Sequence, residues 1–174
     1  MCGNDQEEAQ LRAARLRWSI IDSAEIEVLQ AIGTATVALT GSLDNNRIIG
    51  NDGINVIDGS YGKDTLTGGG AGDAFVWSSV NEIGLFNFDP DIITDFNTAE
   101  DVLHITNIDA NETVAGNQDF TFIGTAAFTA PGQINWFTNG TDTFIQLSTN
   151  ADPTVDGIIQ LNGVQSGDAV LMFL

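Results

Sequence analysis

The chain is expected to be all-β: a short parallel β-roll capped by an antiparallel or mixed β region, with a short helix at the N-terminus. Three observations lead there. Glycines fall at positions 41, 50, 59 and 68, nine apart, and each nine-residue unit carries Asn or Asp at its sixth position and a large apolar residue at its eighth. Past Val76 the beat stops, and segments with strand-like alternation follow, with Pro90, Pro131 and Pro153 confined to their connections. Before the beat, QEEAQLRAARLR (residues 6–17) is rich in helix formers, with acids leading and arginines trailing as a helix dipole prefers.

The first region, residues 1–23, is therefore read as a helical flanking segment. From Ala24, AEIEVLQAIGTATVAL alternates apolar and polar residues with several β-branched types, and this opens a roll spanning residues 24–76. Its four units are GSLDNNRII, GNDGINVID, GSYGKDTLT and GGGAGDAFV. Glycine reaches positive φ without steric cost, so the first half of a unit forms a tight turn. The second half is a very short strand, sending Ile48, Ile57, Leu66 or Phe75 into a thin core. Two units complete a coil, so turns on one side lie eighteen residues apart and stack at about 4.8 Å. Residues 77–174 form the cap, with FVWSSV, DIITDF, VLHITNI, FTFIG, INWFT, TFIQLS, DGIIQLNG and AVLMFL as its segments. Trp77, Phe96, Ile105, Phe122, Phe128, Trp136, Ile145, Leu147, Ile159 and Leu161 are its expected inward residues.

Charge narrows the function. Five Lys+Arg stand against 24 Asp+Glu, a net charge of −19, and no Lys or Arg follows Lys63. Nucleic acid and anionic membranes both demand basic contacts, so neither is an expected partner. No apolar run reaches the length of a membrane span. The single cysteine, Cys2, excludes an internal disulfide, and MCGNDQEEAQ carries no apolar leader-like stretch, so any export signal is expected elsewhere.

The stacking of turns explains the acids. A sixth-position carboxylate beside its counterpart on the next turn repels it unless a cation intervenes. Carbonyl oxygens at positions two and four complete a shell of hard oxygens, which suits calcium. The sixth-position residues are Asn46, Asn55, Asp64 and Asp73, the second-position residues Ser42, Asn51, Ser60 and Gly69, and the fourth-position residues Asp44, Gly53, Gly62 and Ala71. Eighteen-residue pairing joins Asn46 to Asp64 and Asn55 to Asp73. Extended onward, it joins Asp73 to Asp91 and Asp64 to Glu82. Asn offers a neutral oxygen, so the first two sites are expected to be the weaker. The calcium ligands are accordingly Asn46, Asn51, Gly53, Asn55, Ser60, Gly62, Asp64, Gly69, Ala71, Asp73 and Asp91, with Ser42, Asp44, Glu82, Asp95 and Asp101 as outlying candidates. Asp44 stands where glycine is expected, and Ala71-Gly72 inverts the preferred order.

Four units in register resemble the RTX calcium-binding repeats. Residues 41–174 further resemble the C-terminal region of serralysin-type metalloproteases and the R-modules of mannuronan C5-epimerases. The resemblance rests on GGGAGDAFVW, DIITDFNTAEDVLHI, FTFIGTAAFTAPGQINW and TFIQLSTNADPTVDGIIQL. It departs at His104, where those families carry an acid, and in the lower glycine content of the first two units. It implies a calcium-stabilised roll that folds after type I secretion into the extracellular space of a bacterium, escorting and stabilising a larger exported protein. A calcium-stabilised carbohydrate-binding or adhesive module of a polysaccharide-modifying enzyme is the alternative. Type I secretion machinery, an N-terminal catalytic domain and an extracellular polysaccharide are the implied partners. The end, GDAVLMFL, reads both as a final strand and, by resemblance, as part of an uncleaved export signal.

No catalytic role is expected. The zinc motif HExxH is absent, and His104, the only histidine, reads as a strand residue, so no His-based zinc site or Ser-His-Asp arrangement can be built with support. The cap acids Asp95, Glu100, Asp101, Asp142, Asp152 and Asp156 read as turn residues, with Asp95 and Asp101 the better calcium candidates. Trp77, Trp136 and Phe137 read as core before sugar platforms. The sequons at Asn111 and Asn139 read as turns.

Overall fold

The structure, a computed structural model, describes residues 9–12, 17–19, 28–84 and 89–163. Its strands are β1 (Ala9–Arg12), β2 (Arg17–Ser19), β3 (Val28–Ile32), β4 (Val37–Thr40), β5 (Arg47–Ile49), β6 (Asn55–Asp58), β7 (Thr65–Thr67), β8 (Ala74–Val76), β9 (Asp91–Ile93), β10 (Val102–His104), β11 (Thr121–Phe122), β12 (Gln133–Thr138), β13 (Thr143–Ser148) and β14 (Gly157–Leu161). Odd and even strands up to β10 divide between two sheets, as a coil of two strands per turn requires. One sheet runs β2-β4-β6-β8-β10; the other runs β1-β3-β5-β7-β9 and continues through β14-β13-β12-β11.

Within the repeats, parallel partners are eighteen apart: Ile48 faces Leu66, and Ile57 faces Phe75. Each short strand of the repeats presents one buried apolar side chain, so two apolar ladders build the core. Leu29, Ile48, Leu66 and Ile93 form one ladder; Leu39, Ile57, Phe75 and Leu103 form the other. Removing a Leu- or Ile-sized side chain from water contributes about 1.5–3 kcal/mol. Neighbouring coils share that burial, so no single turn is a stable unit.

Parallel stacking does not end at Val76. β9 lies beside β7 with Leu66 facing Ile93, an offset of 27 residues, and β10 lies beside β8 with Phe75 facing Leu103, an offset of 28. The long connection from β8 to β9, which begins with residues 77–84, accounts for most of the extra length. There Trp77, Val80 and Ile83 are buried, and a one-turn 3-10 helix (Val80–Glu82) is closed by a capping box between Ser79 and Glu82. The cap joins the roll without a break. β14 pairs parallel with β9, then antiparallel with β13, which pairs antiparallel with β12.

The expected helix over 6–17 is a correction. Residues 9–12 form a strand parallel to β3, and residues 17–19 form one parallel to β4; the rest of that segment lies outside the described residues. Helix propensity differs among ordinary residues by tenths of a kcal/mol, and an open sheet edge with matching register outweighs it. No α-helix occurs among the described residues, and none there is long and apolar enough to cross a membrane. Most expected inward residues of the cap are buried, but Phe122 is exposed because β11 is a two-residue edge strand. The AVLMFL segment lies outside the described residues.

Candidate metal centre

Sixth-position residues sit just where each turn enters its strand, and the backbone there is tied to the next turn. The Asn46 N–H donates to Asp64 Oδ1 at 2.7 Å, and the Asn55 N–H donates to Asp73 Oδ1 at 2.7 Å. The same bond recurs below with longer offsets: Asp64 N–H to Asp91 Oδ1 and Asp73 N–H to Asp101 Oδ1, both at 2.8 Å. Four carboxylates thus perform one task, holding a backbone N–H of the turn above.

The lower register differs from the eighteen-residue extrapolation. Asp91 lies under Asp64, not Asp73, and Asp101 takes the place under Asp73. The inserted stretch is close to one unit long, and one unit exchanges the two sides of the roll. Glu82 leaves the series altogether: its Oε2 accepts from Ser78 N–H at 2.6 Å and Ser79 N–H at 3.3 Å, capping the 3-10 turn. Asp95 accepts from the Gly68 and Gly69 N–H groups at 2.9 Å.

The second oxygen of each carboxylate separates the rungs. Asp91 Oδ2 accepts from Trp77 Nε1 at 2.8 Å, and Asp101 Oδ2 from Asn97 N–H at 2.8 Å. Asp64 Oδ2 and Asp73 Oδ2 are buried with no hydrogen-bond partner. A buried anionic oxygen without a donor is costly, and a cation is the partner its chemistry calls for. The glycine opening each turn leaves room for that oxygen. A Cβ on Gly59 would lie 2.2 Å from Asp64 Oδ2, and one on Gly68 would lie 2.3 Å from Asp73 Oδ2. Gly59→Ala is therefore expected to push the Asp64 carboxylate aside, lowering the melting free energy by roughly 1–3 kcal/mol and weakening cation binding; calorimetry with and without calcium reads both.

Backbone conformation follows the same division. In the two turns with Asp at position six, positions two and four are left-handed: Ser60 (φ 66°) with Gly62 (φ 114°), and Gly69 (φ 106°) with Ala71 (φ 61°). In the two turns with Asn at position six, Ser42, Asp44, Asn51 and Gly53 are not left-handed. Asp44 therefore needs no left-handed tolerance, whereas Ala71 carries the strain its inverted order foretells. Asn51 links its turn to its neighbour, with Nδ2 donating to Ala35 O at 2.9 Å and Oδ1 accepting from Gly53 N–H at 2.7 Å. Asn46 Oδ1 accepts from Ser42 N–H at 2.6 Å.

Electrostatics agree with the orphaned oxygens. Burial pushes Asp64 up to about 8, opposed by the Asn46 N–H and reinforced by Asp91 and Asp58. Burial raises Asp73 to about 6, opposed by the Asn55 side chain and backbone and reinforced by Asp101 and Asp95. Asp91 is raised to about 6, chiefly by burial, and Asp101 is raised for the same reason. Asp58 was missed from sequence. It sits at the ninth position, its Oδ1 accepts from Ser60 N–H at 2.8 Å, and its charge bears on both Asp64 and Asp91. An acid directly before a turn glycine was the available signal.

Among the described residues, no three His, Cys, Asp or Glu side chains converge as a ready-made metal cluster. A cation here would depend on backbone carbonyls, which suits calcium and not zinc. The carbonyls do turn that way at the Asn55 rung, where Asn51 O, Gly53 O and Gly68 O all face the sixth-position side chain. At Asp64 and Asp73 the orphaned Oδ2 atoms and the glycine cradles suit a hard cation such as calcium. His104 is exposed at the end of β10, and Trp77 is fully buried. Phe137 stacks on Phe144 at 4.8 Å and is partly exposed.

Among solved structures, the chain is similar to the solution structure of the AlgE6R3 subunit from the Azotobacter vinelandii mannuronan C5-epimerase, at 18% identity and a TM-score of 0.40, covering 80% of this chain and 75% of that one. Comparison with curated proteins gave no match. A family model described as the Peptidase M10 serralysin C terminal matches residues 28–172, which include every described strand from β3 to β14. The chain belongs to the Peptidase M10 serralysin C-terminal family.

Proposed function

We propose that this chain is a calcium-binding, non-catalytic β-roll module that folds when calcium becomes available and thereby stabilises a larger exported protein. The observation that carries the reading is the pair of buried carboxylate oxygens, Asp64 Oδ2 and Asp73 Oδ2, each without a donor and each lying against a turn glycine. When bound, calcium supplies the positive charge those oxygens lack. Asp64 and Asp73 hold it, with Asp91 and Asp101 fixing the backbone of the same rungs from below.

The net charge of −19 supports a link to compartment. Where free calcium is scarce, carboxylates repel one another and the glycine-rich turns cannot offset their ordering entropy. The chain then stays extended enough for a type I secretion channel. Outside the cell, at roughly millimolar calcium, binding to the folded state alone stabilises it by about 1–3 kcal/mol per site. An upstream catalytic domain, carried by the same polypeptide, is the partner that such a module accompanies.

Far-UV circular dichroism in calcium and in EGTA tests the reading. The expected result is a β spectrum and a cooperative melt in calcium, with both weakened or lost in EGTA. A spectrum and a melting temperature indifferent to calcium would sink the proposal.

A further inference from the structure

The Asn55 rung is not merely a weak version of the Asp rungs. Asn55 Nδ2 stands among four oxygens drawn from two successive turns: Gly53 O at 2.5 Å, Asp73 Oδ1 at 2.8 Å, Gly68 O at 3.3 Å and Asn51 O at 3.4 Å. Three are backbone carbonyls at positions one, two and four, and the fourth is the carboxylate of the turn below. These are the oxygens a cation would require. Yet the group at their centre is an NH2, which brings two donor hydrogens and no negative charge. The other end of the same amide is used as well, with Asn55 Oδ1 accepting from Asn51 N–H at 3.4 Å. Asn55 is fully buried.

Two independent contrasts support the distinction. Asp64 and Asp73 each leave a buried oxygen unpartnered in their own turn, whereas the Asn55 side chain faces acceptors with a donor. The backbone also differs: turns 59–64 and 68–73 are left-handed at positions two and four, and turn 50–55 is not.

We infer that the Asn55 amide occupies the cation position of its rung, so that the stack between turns 50–55 and 68–73 is locked by hydrogen bonds and takes no calcium. On this side of the roll, metal dependence then falls to the rung whose sixth residue is Asp73. This departs from the sequence expectation of a weaker calcium site at Asn55. That stack is thereby tied together without metal, and calcium acts below it, at the Asp73 turn next to the cap. The count of ions rests on the proposed calcium function; the role of the amide does not.

The test uses the whole chain, with calcium alone as the probe, in wild type, Asn55→Ala and Asn55→Asp. Bound calcium per chain is measured after desalting. Asn55→Ala should hold as many ions as wild type but melt lower by the same amount in calcium and in EGTA. Asn55→Asp should gain one ion. One ion fewer in Asn55→Ala, or no gain in Asn55→Asp, overturns the inference, because Asn55 would then be a ligand or its rung unable to hold metal. If no variant binds calcium, the proposed function fails while the inference is still judged on the amide. In 15N-labelled wild type, the Asn55 side-chain NH2 should exchange roughly tenfold or more slower than that of exposed Asn139, and it should stay slow when calcium is added. The same spectrum decides the matter if Asn55→Ala does not fold. An Asn55 amide that exchanges fast, with or without calcium, overturns it.

Discussion

Asp64→Asn is expected to make the roll more stable without calcium and less responsive to it. In the metal-free fold, Asp64 Oδ1 holds the Asn46 N–H while Oδ2 is buried with no donor. The carboxyl is pushed from 3.8 to about 8, with burial as the main cause. Asp64 is therefore harder to ionise in the fold than in the unfolded chain, and at pH 8 that difference destabilises the metal-free fold. An amide of the same shape can keep the bond to Asn46 through its oxygen. It replaces the orphaned acceptor with a donor, as Asn55 does one turn away. The melting temperature in EGTA should rise by roughly 5 °C or more, the calcium-induced increment should shrink, and one ion fewer should bind. A variant that melts lower in EGTA and keeps its full calcium response would refute the assignment of Asp64 as a ligand.

That prediction draws on the part of the molecule most legible in the sequence. A period of nine with glycine first predicts two strands per coil, and the pairs Asn46–Asp64 and Asn55–Asp73 are joined by the same backbone bond. The apolar eighth position places Ile48, Ile57, Leu66 and Phe75 in the core without ambiguity. Legibility ends where the period ends. Nothing in WSSVNEIG announces that Trp77, Val80 and Ile83 will fold inward, or that Ser79 and Glu82 will close a capping box. Without that knowledge, counting eighteen from Asp73 and from Asp64 lands on Asp91 and Glu82 with the wrong partner or none. Structure restores the count through β9 and β10, whose registers put Asp91 under Asp64 and Asp101 under Asp73.

The N-terminal segment fails for a different reason. Alanine, leucine, glutamate and arginine favour a helix in isolation, but Ala9–Arg12 lies beside an open edge of β3 with four residues in register. Pairing of that kind is invisible to local propensity. What separates Asn from Asp at position six was visible as letters but not as chemistry. Sequence treats Asn as a poorer oxygen ligand, whereas the geometry turns its nitrogen, not its oxygen, toward the carbonyls.

Acidity should act on the metal-free protein in the sense opposite to ordinary acid denaturation. Asp64, Asp73 and Asp91 titrate in the fold at about 8, about 6 and about 6, all raised from 3.8, with burial as the first cause in each. Between pH 4 and 8 the folded chain therefore binds more protons than the unfolded one, and stability falls as pH rises through that window. In EGTA the melting temperature should be highest near pH 4–5 and decline toward pH 8, with the last part of the decline assigned to Asp64. Saturating calcium should remove most of the decline, because protons and the ion neutralise the same oxygens. The converse follows by linkage: calcium affinity should weaken on acidification from pH 8 to 5, as binding must displace the protons that Asp64 and Asp73 hold. The two melting curves, with calcium and without, should approach each other toward pH 5. A metal-free melting temperature that climbs steadily from pH 5 to 8 would mean that these carboxylates are already satisfied in the fold, and would remove the reason for calcium to bind there.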